Sequence, residues 1–153
     1  MMTISWCKEK GLELIEPNDN LAYDYIESAK ETMRVTNLIK DSGSFMWIAT
    51  QKYYAEYLAS YAILMKFGIK TDIHSCVIDV ISLFEDEGII NFDLSSVLYS
   101  DKKLRIENQY YLRNIPVNYD FSELSDLILR IPSLLRKISI DDIERFRFYI
   151  SSL

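Results

Sequence analysis

The side chains able to do chemistry are few and scattered. His74, the chain's one histidine, is the sole group whose ordinary pKa lies near neutrality. It stands in Lys70-Thr71-Asp72-Ile73-His74 near the start of a helix, where a lone histidine is more often a hydrogen-bonded structural residue than a catalyst. Arg113 carries a permanent charge and a fork of donors suited to a phosphate or to developing negative charge. Lys70, in a turn, reads as a solvated lysine with a phosphate contact as its alternative. Glu85-Asp86-Glu87 has the charge of a cation site, but adjacent carboxylates on a helix point apart, and the run reads as a solvated end. Cys7 and Cys76 show no C-x-x-C spacing and neither neighbours another thiol, so they read as buried bystanders of a reducing compartment.

The elements that position these groups follow from composition and periodicity. The length of 153 residues and 49% hydrophobic content suit one core, and a single domain spanning 1–153 is expected. The net charge of -6 argues against tight, sequence-independent binding of long nucleic acid. Residues 1–100 hold eight Lys or Arg against fifteen Asp or Glu, and residues 101–153 nine against eight, so any basic surface belongs to the second part. No apolar run reaches the ~18 to 20 residues that span a bilayer, and the N-terminus lacks a signal peptide's basic start and long apolar stretch. No membrane association and a cytoplasmic location are expected.

Organisation centres on 51–67, QKYYAEYLASYAILMKF, where Tyr54, Tyr57, Leu58, Tyr61, Leu64 and Met65 recur at helical spacing. Its tyrosines read as core. Lys52, Glu56, Ser60 and Lys66 leave a narrow polar strip, so other helices must cover most of the circumference. Ser44 can cap this helix and Gly68 end it. Before it come a packed N-terminal arm over residues 1–17 and a helix from a cap at Asn20 to about Asp41. After it, Thr71 or Asp72 starts a helix to Glu87. The next, about Asp93 to Arg113, has two apolar sectors. Leu94, Val97, Leu98, Leu104, Tyr111 and Leu112 suit the core, while Tyr99, Ile106 and Tyr110 need a second helix or a second subunit. Pro116 breaks the run, and Asp120 or Ser122 restarts it as a helix that Pro132 kinks or breaks. Ser139 with Asp142 resembles a capping box for a short last helix.

Two blocks, QKYYAEYLASYAILMKFGIKTDIHSCVI and YYLRNIPVNYD, resemble the HEPN superfamily, in particular small prokaryotic members with a Tyr-Tyr-Ala central helix. The similarity covers roughly residues 21–137. It implies an all-α, up-and-down bundle of four to five helices, here with the short C-terminal helix and the N-terminal arm, and often a homodimer. The Tyr99, Ile106 and Tyr110 face is the expected interface. The resemblance also implies a metal-independent ribonuclease or nucleotide-binding component of a toxin-antitoxin or RNA-processing system, without a cofactor. An MNT-type nucleotidyltransferase is the implied partner, able in such systems to add AMP to a tyrosine. The family's catalytic Arg corresponds to Arg113, with Asn114 as the polar residue after it, while Asn118 stands where the His would be. An amide cannot exchange the proton that RNA cleavage requires, so the motif is degenerate. Tyr119 is the candidate for the modified tyrosine. Arg113, Asn114, Asn118, Tyr119, Lys70 and His74 form the expected site, with RNA or a nucleotide as ligand. The alternative is a non-catalytic dimerisation or partner-binding module.

Overall fold

The computed structural model describes residues 3–153, and the first two residues of the expected arm lie outside the described residues. Among the described residues there are seven helices and one two-stranded sheet, an all-α bundle: α1 (Ile4–Lys10), β1 (Glu13–Leu14), α2 (Asp19–Ile39), α3 (Phe45–Phe67), β2 (Ile69–Lys70), α4 (His74–Asp86), α5 (Ser95–Gln109), α6 (Phe121–Lys137) and α7 (Ile140–Ser152). The bundle is built on α3. The Ser44 hydroxyl accepts from Trp47 N at its start, and α2, α4, α5, α6 and α7 all pack on it. Tyr53, Tyr61, Ile63, Leu64 and Phe67 are buried. The polar strip is covered as well, since Glu56 and Ser60 lie in the interior. Tyr57 is only half-buried, at a rim where its ring stacks on His74.

Gly68 ends α3 in the left-handed region, φ 71°. A side chain there would run into the backbone of Ile15 and Pro17, so glycine serves both the turn and the close approach. Arg147 reaches over from α7, its Nη1 donating to the carbonyls of Ile15 (2.6 Å), Phe67 (3.0 Å) and Gly68 (2.9 Å). A cation at this point complements the negative end of the α3 dipole. Lys8 does the same for α7, donating to the carbonyls of Ile150, Ser151 and Leu153.

Several boundaries differ from expectation for identifiable reasons. Asn18 rather than Asn20 caps α2, accepting from Leu21 N at 2.9 Å. Helix α4 starts at His74 because the Tyr61 hydroxyl takes both backbone groups of Thr71, donating to its carbonyl and accepting from its N–H. Glu85 is not a solvated end. Its carboxylate accepts from Leu94 N, Ser95 N and Ser95 Oγ, which makes it the cap of α5. Helix α6 runs through Pro132 without a break, capped by Asp120, and Ser139 with Asp142 forms the capping box of α7.

The largest departure is in α5, which stops at Gln109 rather than Arg113. Asn108 is buried and folds the chain back, its Nδ2 donating to Ile115 O (2.9 Å) and its Oδ1 accepting from Ile115 N (2.6 Å). Tyr111 and Leu112 therefore lie exposed instead of in the core, and Leu112 and Asn114 take left-handed backbone at φ 52° and 53°. The inner face of α5 carries Leu94, Leu98, Asp101, Arg105 and Asn108. Tyr99 and Tyr110, on the other sector, are largely exposed.

The expectation of unpaired cysteines is also corrected. Cys7 of α1 and Cys76 of α4, both fully buried, form a disulfide across a separation of 69 residues. The pairing was hidden because only the fold brings the arm onto α4, and it removes the ground for expecting a reducing compartment. No helix of the described residues is long and apolar enough to cross a membrane. Closing a loop of this length restricts the unfolded chain by roughly 4 kcal/mol on the chain-entropy model. The Cys7→Ala/Cys76→Ala variant should lose up to that amount in denaturant unfolding. A non-reducing peptide map without a peptide linking the two cysteines, or equal midpoints for the two proteins, would refute the bond.

Candidate functional site

A polar layer crosses the bundle where α3 faces α4 and α5, and it divides into two clusters. In the first, Lys52 donates to Glu56 Oε2 (3.1 Å) and to Asp101 of α5. Burial raises the Glu56 pKa well above the carboxylate range; Lys52 opposes the shift and Asp101 adds to it. For Lys52, burial favours the neutral amine, but the two carboxylates outweigh it and its pKa is raised. This cluster is closed by its own charges.

The second cluster is not. Its centre is Arg105, 7% exposed, in register with Leu98 on the inner face of α5. Its guanidinium lies 5.2 Å, 5.4 Å and 5.6 Å from the ring centres of Tyr53, Tyr54 and Tyr110, and Nη1 donates to the Tyr54 hydroxyl at 3.2 Å. Nε is buried without a hydrogen-bond partner, and among the described residues no carboxylate pairs with this arginine. A buried cation is normally neutralised by an anion. Here aromatic faces surround it, and they attract a cation without neutralising it.

His74 shares the same tyrosines. Its ring stacks on Tyr57 at 4.2 Å and meets the ring of Tyr54 edge-on at 6.0 Å. The Tyr53 hydroxyl lies 2.8 Å from Nδ1. Burial holds the Tyr53 pKa far above its usual value, so the phenol keeps its proton. We assign it as the donor to Nδ1, which places the imidazole proton on Nε2. Burial lowers the His74 pKa, and the positive charges of Arg105 and Lys102 lower it further. Lys102, one turn before Arg105, is itself lowered by burial and by Arg105, with Asp79 acting the other way. Arg105 and His74 thus share one wall of tyrosines, with the charge of Lys102 felt at both. Neutral His74 has Nδ1 occupied and Nε2 as a donor, which suits recognition of an anion better than proton abstraction.

Among the residues expected from sequence, Arg113, Tyr119 and Lys70 each have other partners. Arg113 is 62% exposed, pairs with Glu107 at 2.9 Å and lies over the Tyr111 ring. Asn114 and Asn118 are exposed, and Tyr119 is half-buried with its hydroxyl donating to Asn37 Oδ1 at 3.5 Å. Burial, then Asp120, raises the Tyr119 pKa, while Lys52 lowers it. Lys70 faces Glu13 across the β1–β2 pair at 3.9 Å. The arginine beside His74 is Arg105, and sequence reasoning passed over it because polar residues are assigned outward. The available signal was its spacing of seven from Leu98, with Asn108 three further on. Among the described residues no group of three or more His, Cys, Asp or Glu is placed to hold a metal ion. No family model matches the chain, and neither a curated protein nor a solved structure matches it.

Two outcomes follow from this geometry. Arg105→Met keeps the length and the contact with the rings while removing an unneutralised charge, so the variant should be as stable as wild type or better, within about 1 kcal/mol on the unfavourable side. A loss of ~3 kcal/mol in urea unfolding would make Arg105 a structural residue. For His74 the folded pKa lies below the unfolded value of about 6.5, so the unfolded chain binds more protons between the two. Stability should therefore fall as pH drops below about 6.5 and recover above it. Unfolding curves of wild type and His74→Asn from pH 5 to 7.5 isolate this contribution from the opposite one of Glu56. Parallel pH profiles would show that His74 does not contribute.

Proposed function

We propose that this chain is a HEPN-like helical module that binds a nucleotide or RNA through a phosphate and does not cleave it efficiently, as a component of a toxin-antitoxin or RNA-processing system. The observation that carries this reading is Arg105, buried, stacked on tyrosines and without a carboxylate partner, with His74 and Lys102 alongside. A phosphate supplies the missing negative charge, and charge-assisted hydrogen bonds to it are the strong ones. Efficient cleavage is disfavoured on two counts. Asn118 has no titratable group, and the free nitrogen of His74 is already protonated. Arg113 and its neighbours then serve as surface at the mouth of the segment after α5.

A second reading rests on a separate observation. Tyr110, Tyr111 and Leu112 are exposed side by side next to Arg113, and clustered exposed aromatics favour a partner-binding surface. That surface suits a second copy of the chain or a minimal nucleotidyltransferase.

Binding and cleavage assays separate these readings. Wild type should bind nucleotide or short RNA, and Arg105→Ala should weaken binding about 10- to 100-fold, the loss of a charged hydrogen-bonding group. Arg113→Ala should change affinity by less than about threefold, as expected of an exposed pair. Asn118→His should not raise RNA cleavage. Loss of binding in Arg113→Ala with Arg105→Ala intact would move the site to the motif segment. Strong cleavage by wild type would overturn the binding reading.

A further inference from the structure

A cavity of about 620 Å³ lies where the α4–α5 connection meets the second half of α6 and the start of α7. It shares no lining residue with the Arg105 cluster, and its volume falls in the range of roughly 300 to 1,000 Å³ that suits a small organic ligand. The wall has two parts. Ile89, Phe92, Leu134 and Ile138 present apolar surface that is continuous with the core, while Arg130, Lys137 and Arg145 bring positive charge to the same space. On α6 the lining residues Arg130, Ser133, Leu134 and Lys137 stand at i, i+3, i+4 and i+7, the spacing of one helix face.

The charges of the lining do not balance. Asp142 accepts from Ser139 N at 3.0 Å and pairs with Arg145 at 3.3 Å, so those two side chains neutralise each other. Among the described residues Arg130, Lys137 and Glu87 have no ion-pair partner, which leaves two cations against one carboxylate and a surplus of one positive charge. Lys137 lies in the last turn of α6, where a cation complements the helix dipole. Arg130 is two turns earlier and has no such role. Its guanidinium sits 5.3 Å from the centre of the Phe92 ring, a cation–π contact that holds the charge beside the apolar wall. The backbone of the connection adds no donors, because the N–H groups of Glu87, Gly88, Ile89 and Ile90 are all bonded to carbonyls of α4. An anion here is met by side chains. One surplus charge matches a carboxylate, whereas a phosphate monoester carries about 1.5 to 2 near neutrality.

We infer that this cavity binds a small organic monocarboxylate with an apolar body, the carboxylate on Arg130 and Lys137 and the body against Phe92, Leu134 and Ile138. The inference is independent of the phosphate-binding reading above and gives the chain a second site for a different chemical class.

The test titrates the full chain with 3-phenylpropanoate, its uncharged amide, acetate and phenyl phosphate, following backbone amide resonances by NMR. 3-Phenylpropanoate should bind saturably, with the shifts centred on residues 87–92 and on the second half of α6. The amide should bind about tenfold more weakly or worse for want of charge-assisted hydrogen bonds, and acetate about tenfold more weakly for want of apolar burial. Arg130→Gln and Lys137→Gln should each weaken 3-phenylpropanoate binding. Both side chains are exposed, so unchanged thermal unfolding checks that the fold is kept. Arg105→Met should leave the affinity unchanged, which separates this site from the phosphate-binding one. An amide that binds as well as the acid would remove the cations from the site, and acetate binding equally well would remove the apolar wall. Tighter binding of phenyl phosphate would replace the ligand class. Each of these results overturns the inference, as does binding that survives the Arg130→Gln/Lys137→Gln double variant or the lack of saturable binding by 3-phenylpropanoate.

Discussion

A helix covered on every side must carry its polar side chains into the interior, and each then needs a partner there. That constraint, imposed by α3, accounts for most of the non-apolar structure in the molecule. Tyr61 fixes the start of α4 by holding both backbone groups of Thr71. Ser60 turns back on the Glu56 carbonyl, and Lys52 draws Asp101 onto its own carboxylate partner. Tyr53 and Tyr54 recruit His74 and Arg105 from two different helices. The positions of α4 and α5 are therefore set as much by the hydroxyls and charges of α3 as by its apolar surface.

The two halves of the layer solve the same electrostatic problem differently. Two carboxylates surround one ammonium in a dry place, and burial, with Asp101 adding to it, raises the Glu56 pKa against the opposing pull of Lys52. An arginine has no such escape, since its guanidinium stays charged throughout the accessible pH range. Placed among tyrosines, Arg105 retains a charge that the fold does not neutralise.

What the sequence made legible was local. The stripe of α3, its cap at Ser44, its stop at Gly68 and the capping box at Ser139 all follow from a few neighbouring residues, and the all-α class follows from them. The inner face of α5 was illegible because its lower half is polar. Asp101, Arg105 and Asn108 continue the register of Leu94 and Leu98, but hydrophobic patterning assigns that register to Leu104, Tyr111 and Leu112 instead. The end of the helix was misplaced for a related reason, since Asn108 captures Ile115 by a side-chain contact that propensity does not encode. For the site, a motif drew attention to Arg113 and Asn118, whereas the structure gathers His74 with an arginine eight residues earlier. The cysteine pair, 69 residues apart, had no local signature at all.

That pair divides the molecule topologically. The covalent ring it closes contains α2, α3, Tyr53, Tyr54, Tyr57 and His74, while Arg105 and Lys102 belong to the open tail that follows Cys76. The aromatic wall and the imidazole thus remain on one closed loop even in the unfolded, oxidised chain, and the cations do not. The contact between Arg105 and the aromatic wall exists only when the tail has docked on the ring. Burial of Arg105 is therefore linked to docking of α5, and displacing this helix would expose the arginine while leaving the ring intact.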